Sequence, residues 1–187
     1  MKIPGRAEFI ALMAMISATV AFSIDAMLPA LPEIAAQLTP DAPERATLII
    51  TSFVFGMGIG TLFAGPLSDA FGRRPIIFAG FVLYCIGALL AFLANTLEWV
   101  LAARVIQGIG VAGPRIVALA VIRDLFSGRE MARLMSFVLL VFSLVPAIAP
   151  ALGAVIIWGV GWRGIFGAFV LFSLLIGCWY ATRMPET

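Results

Sequence analysis

Histidine is absent from all 187 residues. Its absence removes imidazole as the base of a nucleophile pair, as a proton shuttle and as the commonest protein metal ligand. Proton chemistry in this chain therefore falls to carboxylates. Cysteine occurs only as Cys85 and Cys178, each alone in an apolar run, which reads as two small buried hydrophobes. Charge is scarce as well: 12% of residues, where soluble domains carry about a quarter. The net charge of +2 is small and dispersed, which excludes the basic stripe that a nucleic-acid partner would need. No nucleophile stands beside a base, so an intramembrane enzyme is not expected, and neither a metal nor an organic cofactor is implied.

What the chain has instead is apolar length: 63% of its residues are hydrophobic and its mean hydropathy is +1.12. A helix rising about 1.5 Å per residue crosses the ~30 Å hydrocarbon core in roughly 20 residues. Six runs satisfy this, at 9–32, 46–68, 75–97, 99–122, 134–157 and 164–182. The first follows a basic start, but it runs past the length of a signal-peptide core. The expected fold is all-α, a single polytopic bundle over residues 1–187 with membrane lipid around it. Basic residues set its orientation: Lys2, Arg6, Arg73, Arg74, Arg123, Arg129, Arg133 and Arg183 fall on one side, against Arg45 and Arg163 on the other. By the positive-inside rule both termini are cytoplasmic. Trp158 to Trp162 then reads as an aromatic turn at the outer interface.

Three charges lie inside the spans, and each is a candidate site on grounds of cost alone. Counting rise along the helices puts Asp25 about 24 Å, and Arg104 about 21 Å, from the inner side. The two can meet as an acid and a base on facing helices, either as a proton or cation site or as a structural ion pair. Arg115 comes out near the inner surface, where a long side chain snorkels to water. It shares a helix face with Arg104, so cavity lining is the alternative.

Gly108-Ile109-Gly110-Val111-Ala112-Gly113 matches a dinucleotide fingerprint but sits within a span, where the fingerprint has no meaning. Its glycines, like Gly56, Gly60 and Ala64, suit close helix approach. Pro146 and Pro150, with Gly153 behind them, predict a bend in the fifth span. Gly72-Arg73-Arg74-Pro75-Ile76-Ile77-Phe78 is echoed by Gly161-Trp162-Arg163-Gly164-Ile165-Phe166, a faint sign of two inverted three-helix repeats.

Four stretches carry a resemblance. Gly65-Pro66-Leu67-Ser68-Asp69-Ala70-Phe71-Gly72-Arg73-Arg74-Pro75 resembles the loop signature between helices 2 and 3 of the major facilitator superfamily. Arg104-x-x-Gln107-Gly108-x-Gly110 is similar to the helix 4 motif of its proton-coupled exporters. Ser23-Ile24-Asp25-Ala26-Met27-Leu28-Pro29-Ala30-Leu31-Pro32 and Trp162-Arg163-Gly164-Ile165-Phe166 look like the Bcr/CflA drug:proton antiporters. The resemblance implies a cell inner-membrane carrier that exchanges protons for lipophilic, often cationic molecules. It implies Asp25, Arg104 and Gln107 as the proton or substrate site. It also implies a cytoplasmic charge network of Asp69 and Arg73 with Arg123 and Asp124, framed by Gly65, Gly72 and Arg74. Two departures stand out: Ala149-Pro150-Ala151-Leu152-Gly153-Ala154 lacks glycines of the exporters' helix 5 motif, and Arg115 is outside the pattern.

Such carriers have twelve helices in two halves, so the resemblance covers one N-terminal half of six. A C-terminal half or a second copy of this chain is the expected partner. Two other readings stand beside it: a homodimeric half-transporter, and a non-transporting membrane interaction domain in which Asp25 and Arg104 are structural.

Overall fold

The computed structural model describes residues 5–184; Lys2 and the tail 185–187 lie outside them. Among the described residues seven α-helices follow one another: α1 (Arg6–Asp25), α2 (Leu31–Leu38), α3 (Leu48–Phe71), α4 (Arg73–Leu93), α5 (Leu97–Leu125), α6 (Gly128–Val160) and α7 (Arg163–Arg183). Six helical stretches are long and apolar enough to cross a membrane, with α2 continuing the line of α1. Helices are the form such a chain must take, because a span in lipid has to satisfy its backbone groups internally.

The element ends differ from the sequence expectation for identifiable reasons. The first run, expected as one helix over 9–32, stops at Asp25, passes through a 3₁₀ turn at Leu28–Ala30 and resumes as α2. Pro29 and Pro32 lack the N–H that an unbroken helix needs there. The charged stretch Gly65 to Pro75, expected as a loop, is almost entirely helical. α3 runs on to Phe71, α4 begins at Arg73, and Gly72 alone connects them at φ 93° and ψ 159°. Only glycine adopts that conformation without strain. Gly161 joins α6 to α7 with a similar backbone, φ 73° and ψ 176°, so the two echoed segments share their local geometry. α6 starts six residues earlier than expected, taking Arg129 and Arg133 into its first turns. It stays one 33-residue helix through Pro146 and Pro150. Thr96 caps α5, its hydroxyl accepting from the Trp99 N–H at 3.4 Å.

α5 is the central element, packed against α3 on one side and α4 on the other, while α1 packs on α6 and α7 on α4. The contacts are backbone-close. A Cβ on Gly56 would collide with the Val105 carbonyl, and one on Gly108 with that of Phe53. Between lipid-embedded helices this close approach replaces the hydrophobic effect as the source of association. Gly153 does the same for α6 against Ala26.

Buried side chains form two layers. One, around Met27, Phe53, Tyr84, Trp162 and Phe169, lies toward the end where α1 stops. The other, around Phe9, Leu12, Ile77, Val121 and Tyr180, lies toward the end where α1 begins. The outside is apolar too, with Leu62, Phe63, Phe71 and Leu93 all exposed, as a surface solvated by acyl chains requires. Two expectations are corrected here. Of the two tryptophans in the Trp158 to Trp162 turn, Trp162 is buried and Trp158, 91% exposed, sits on the surface. Cys178 is exposed and Cys85 half-buried, and neither is a fully buried hydrophobe.

Candidate functional site

The most polar place in the interior is built around Arg104, which is fully buried. Its Nη1 donates to Gln107 Oε1 at 2.7 Å, one helical turn further along α5. Its Nη2 donates to the Ser23 carbonyl at 2.9 Å and its Nε to the Ile49 carbonyl at 3.3 Å. The Phe53 ring covers the guanidinium, 4.2 Å from its carbon to the ring centroid. The Ser23 carbonyl is available because α1 is ending: the Met27 N–H, which would have bonded Ser23, turns to Ile24 at 3.2 Å. The helix terminus thus supplies an acceptor and the arginine takes it.

Ser23 extends the network to α4. Its hydroxyl lies 2.6 Å from the Tyr84 hydroxyl and donates to the Thr19 carbonyl at 2.6 Å. Tyr84 is fully buried, with the Phe169 ring beside it. Four helices, α1, α3, α4 and α5, therefore meet through one set of polar contacts. Tyr84 was not among the sequence candidates, although a phenol in the middle of an apolar span had to find a polar partner.

Asp25 does not join this network, which corrects the expected pairing with Arg104. Arg104 is satisfied by two carbonyls and an amide. Asp25 is half-buried and has no hydrogen-bond or ionic partner among the described residues. The reason is angular: two residues on from Ser23, a side chain lies about 200° around the helix. Equal depth put the acid and the base at one level but not on facing sides.

Arg115 also departs from expectation. Its Nη1 reaches Met57 Sδ at 3.7 Å. Met57 is 71 − 57 = 14 residues from the end of α3, about 21 Å by helix rise. The half-buried guanidinium thus points into the span, away from the interface toward which it was expected to snorkel.

A second charged cluster surrounds the Gly72 connection. Arg73 Nη1 donates to Asp69 Oδ1 at 2.7 Å and to Ser68 Oγ at 2.6 Å, and its Nε to Asp124 Oδ2 at 3.0 Å. It ties α3, α4 and α5 together. Ser68 in turn donates to the Gly65 carbonyl at 2.8 Å. Arg74 crosses to α7, donating to the Ala181 carbonyl at 2.9 Å. Arg123 is exposed on the wall of the adjoining cleft, and it is its neighbour Asp124 that takes the ionic contact. At the opposite end, Trp162 Nε1 donates to Gln37 Oε1 at 2.8 Å and Arg163 Nη2 to the Ala94 carbonyl at 3.0 Å. These bonds fasten the start of α7 to α2 and to the end of α4. Among the described residues no three Cys, Asp or Glu side chains gather as a metal site.

Comparison with known proteins agrees with this architecture. The family model described as Major Facilitator Superfamily matches residues 11–187. The chain is 37% identical over 179 residues to the bicyclomycin resistance protein homolog of Haemophilus influenzae, covering 96% of the chain and 45% of the relative. It is 33% identical over 166 residues to a chloramphenicol resistance protein of Pseudomonas aeruginosa, covering 88% and 39%. Against the multidrug resistance protein MdtL of Escherichia coli the identity is 31% over 153 residues, covering 82% and 39%. The chain therefore spans less than half the length of these relatives. In fold it superposes on a D-xylose-proton symporter with a TM-score of 0.83 at 18% identity, covering 96% of this chain and 48% of the symporter. A partially occluded, inward-open xylose transporter, XylE from Escherichia coli, gives 0.84 at 17%, covering 96% and 50%. The six-span bundle, its glycine-packed central helix and these matches agree: the chain is a multi-pass membrane protein belonging to the major facilitator superfamily of transporters.

Proposed function

We propose that this bundle is one six-helix half of a proton-coupled multidrug exporter, exchanging protons for lipophilic, often cationic compounds by alternating access. The observation that carries the reading is Asp25: a half-buried carboxylate without a fixed cation, at the end of a helix whose last turn Arg104 holds. An isolated acid inside a span is too costly to keep without a role. A proton and a cationic compound can each neutralise that carboxylate, but not together. Occupancy by one expels the other, which couples their flows in opposite directions.

Arg104 acts in this reading as a positioning residue. It binds the backbone of α1, so a movement of α1 relative to α5 changes the surroundings of Asp25, and Gln107 orients the guanidinium. The Arg73 contacts to Asp69 and Asp124, with Gly65, Gly72, Arg74 and Arg123 around them, brace the inner end in the outward-open state. Pro146, Pro150 and Gly153 let α6 adjust during the exchange. The excess of basic residues at the Arg6 end supports a reading with both termini in the cytoplasm and the protein in a cell inner membrane. Rocking requires a second half, either a C-terminal one or another copy of this chain. The resistance relatives, each about twice as long, support the first.

The test is efflux of a fluorescent lipophilic cation from proteoliposomes under an imposed pH gradient, using the transporter that contains this chain. Gradient-driven efflux should vanish in Asp25→Asn while the variant remains folded. Unchanged proton-driven efflux in that variant would sink the assignment of Asp25. The absence of any efflux from folded wild type would favour a membrane interaction domain.

A further inference from the structure

Arg115 stands inside the span, and no carboxylate among the described residues pairs with it. It lies ten residues before Leu125, the last of α5, so its backbone is about 15 Å from that end by helix rise. Side chains lean toward the start of their helix, which carries this guanidinium up toward Met57 and away from the nearer surface. Eleven residues, close to three full turns, separate Arg115 from Arg104. From this face Arg104 reaches Ser23 of α1 and Ile49 of α3, so Arg115 stands on the side of α5 that α1 and α3 flank. The two arginines differ in what they hold. Each nitrogen of Arg104 has an oxygen acceptor, whereas half-buried Arg115 has one thioether, a weak acceptor. Nor is an acid of this chain at hand. Glu8, Asp69, Glu98, Asp124 and Glu130 are each paired with another arginine near a helix end. Asp25 belongs to the level of Arg104, roughly 16 Å further along α5. A guanidinium at this depth is kept only against water or an anion.

We propose that Arg115 binds the carboxylate of the transported compound, so that the carrier takes lipophilic compounds bearing an acid as well as those bearing a cation. This rests on the transport reading and gives the anionic pole of a substrate a site separate from Asp25. A guanidinium presents its donors as a fork that matches the two oxygens of one carboxylate. The neighbour of Arg115 favours a changing occupant over a fixed one. Met57 is flexible and polarizable, the kind of side chain that adapts to ligands of different shape. Arg73, whose acids are fixed, is instead oriented by a hydroxyl, that of Ser68, at 2.6 Å. A permanent acid on a second half would also tie the two halves together in mid-span, against the rocking that the exchange requires.

The test compares a rhodamine carrying a free benzoate with the methyl ester of the same rhodamine, in proteoliposomes of the complete transporter that contains this chain. Whatever covers this face in the protein is then in place. Wild type should export both dyes under a proton gradient. Arg115→Gln should raise KM for the free acid about tenfold or more, as the loss of a charged hydrogen-bonding partner requires, and leave the ester unchanged. Arg115→Lys should recover part of the loss. Each variant is its own control, because one preparation carries both dyes and misfolding would lower both. Export of the ester but not of the acid by wild type would overturn the proposal and leave the exporter standing. An equal fall of both dyes in Arg115→Gln would assign the arginine to a fixed acid of the second half or to packing, and so overturn it too. Unchanged transport of the acid in that variant would do the same. Export of neither dye by wild type would sink the exporter reading, and this inference with it.

Discussion

Arg104 Nη2 lies 2.9 Å from the carbonyl oxygen of Ser23, two residues before Asp25. The buried guanidinium of Arg104 is thus committed to the backbone of the helix that carries the acid, and the acid has no ionic partner among the described residues. Replacing Arg104 by Met would leave the Ser23 and Ile49 carbonyls without their donor in a dry interior. Because hydrogen bonds to a charged group contribute about 1.5–3 kcal/mol each, we expect a loss of several kcal/mol. A thermal melt in detergent should show a Tm well below wild type, with Arg104→Lys in between, since one ammonium cannot span the same acceptors. A Met variant as stable as wild type would refute the bracing role.

Tyr84 provides a finer test of the same network. Tyr84→Phe removes only the hydroxyl, and Ser23 keeps its bond to Thr19, so the expected cost is about 1 kcal/mol. Tyr84→Ala also opens a cavity beside Phe169, with an expected cost of about 3–5 kcal/mol. The two melts should separate clearly. If they coincide, the phenol ring contributes nothing to packing.

Helix contact predicts opposite results for two glycines two residues apart. Gly56 faces the Val105 backbone with no room for a methyl group, while Gly58 has nothing within 4 Å of where its Cβ would lie. Gly56→Ala should force α3 off α5 and lower stability by more than about 2 kcal/mol. Gly58→Ala should be neutral or stabilising by up to about 1 kcal/mol, by helix propensity. Tm values in the same order for both would contradict the packing described.

At the Gly72 connection, conformation and charge predict different magnitudes. Gly72→Ala must hold φ near 93°, which costs an alanine about 1–3 kcal/mol. Arg73→Gln breaks contacts to Asp69, 68% exposed, and Asp124, 40% exposed. Pairs so open to solvent contribute about 1 kcal/mol or less. Arg73→Gln should therefore melt close to wild type, yet show faster hydrogen exchange at residues 68–73. Exchange unchanged from wild type would mean that the cluster holds nothing in place.

The sequence alone determined the spans, because a helix in lipid is governed by local quantities: apolar length and internal hydrogen bonding. It also determined which charges were out of place, Asp25, Arg104 and Arg115, since the cost of moving a bare ion from water into hydrocarbon is set by the residue type and can be read before its partners are known. Fold and family were legible for the same reason, through turn and packing motifs that act locally. Tertiary structure decided which of these residues meet. Counting along a helix yields height but not direction, so Asp25 and Arg104 shared a level without sharing a contact. Height read at the backbone also misplaced Arg115, whose side chain reaches to Met57 deep in the span. The partners of Arg104, two carbonyls and Gln107, were hidden because a backbone acceptor exists in every residue. Only the end of α1 at Asp25, packed against α5, made the carbonyl of Ser23 the one that Arg104 could take.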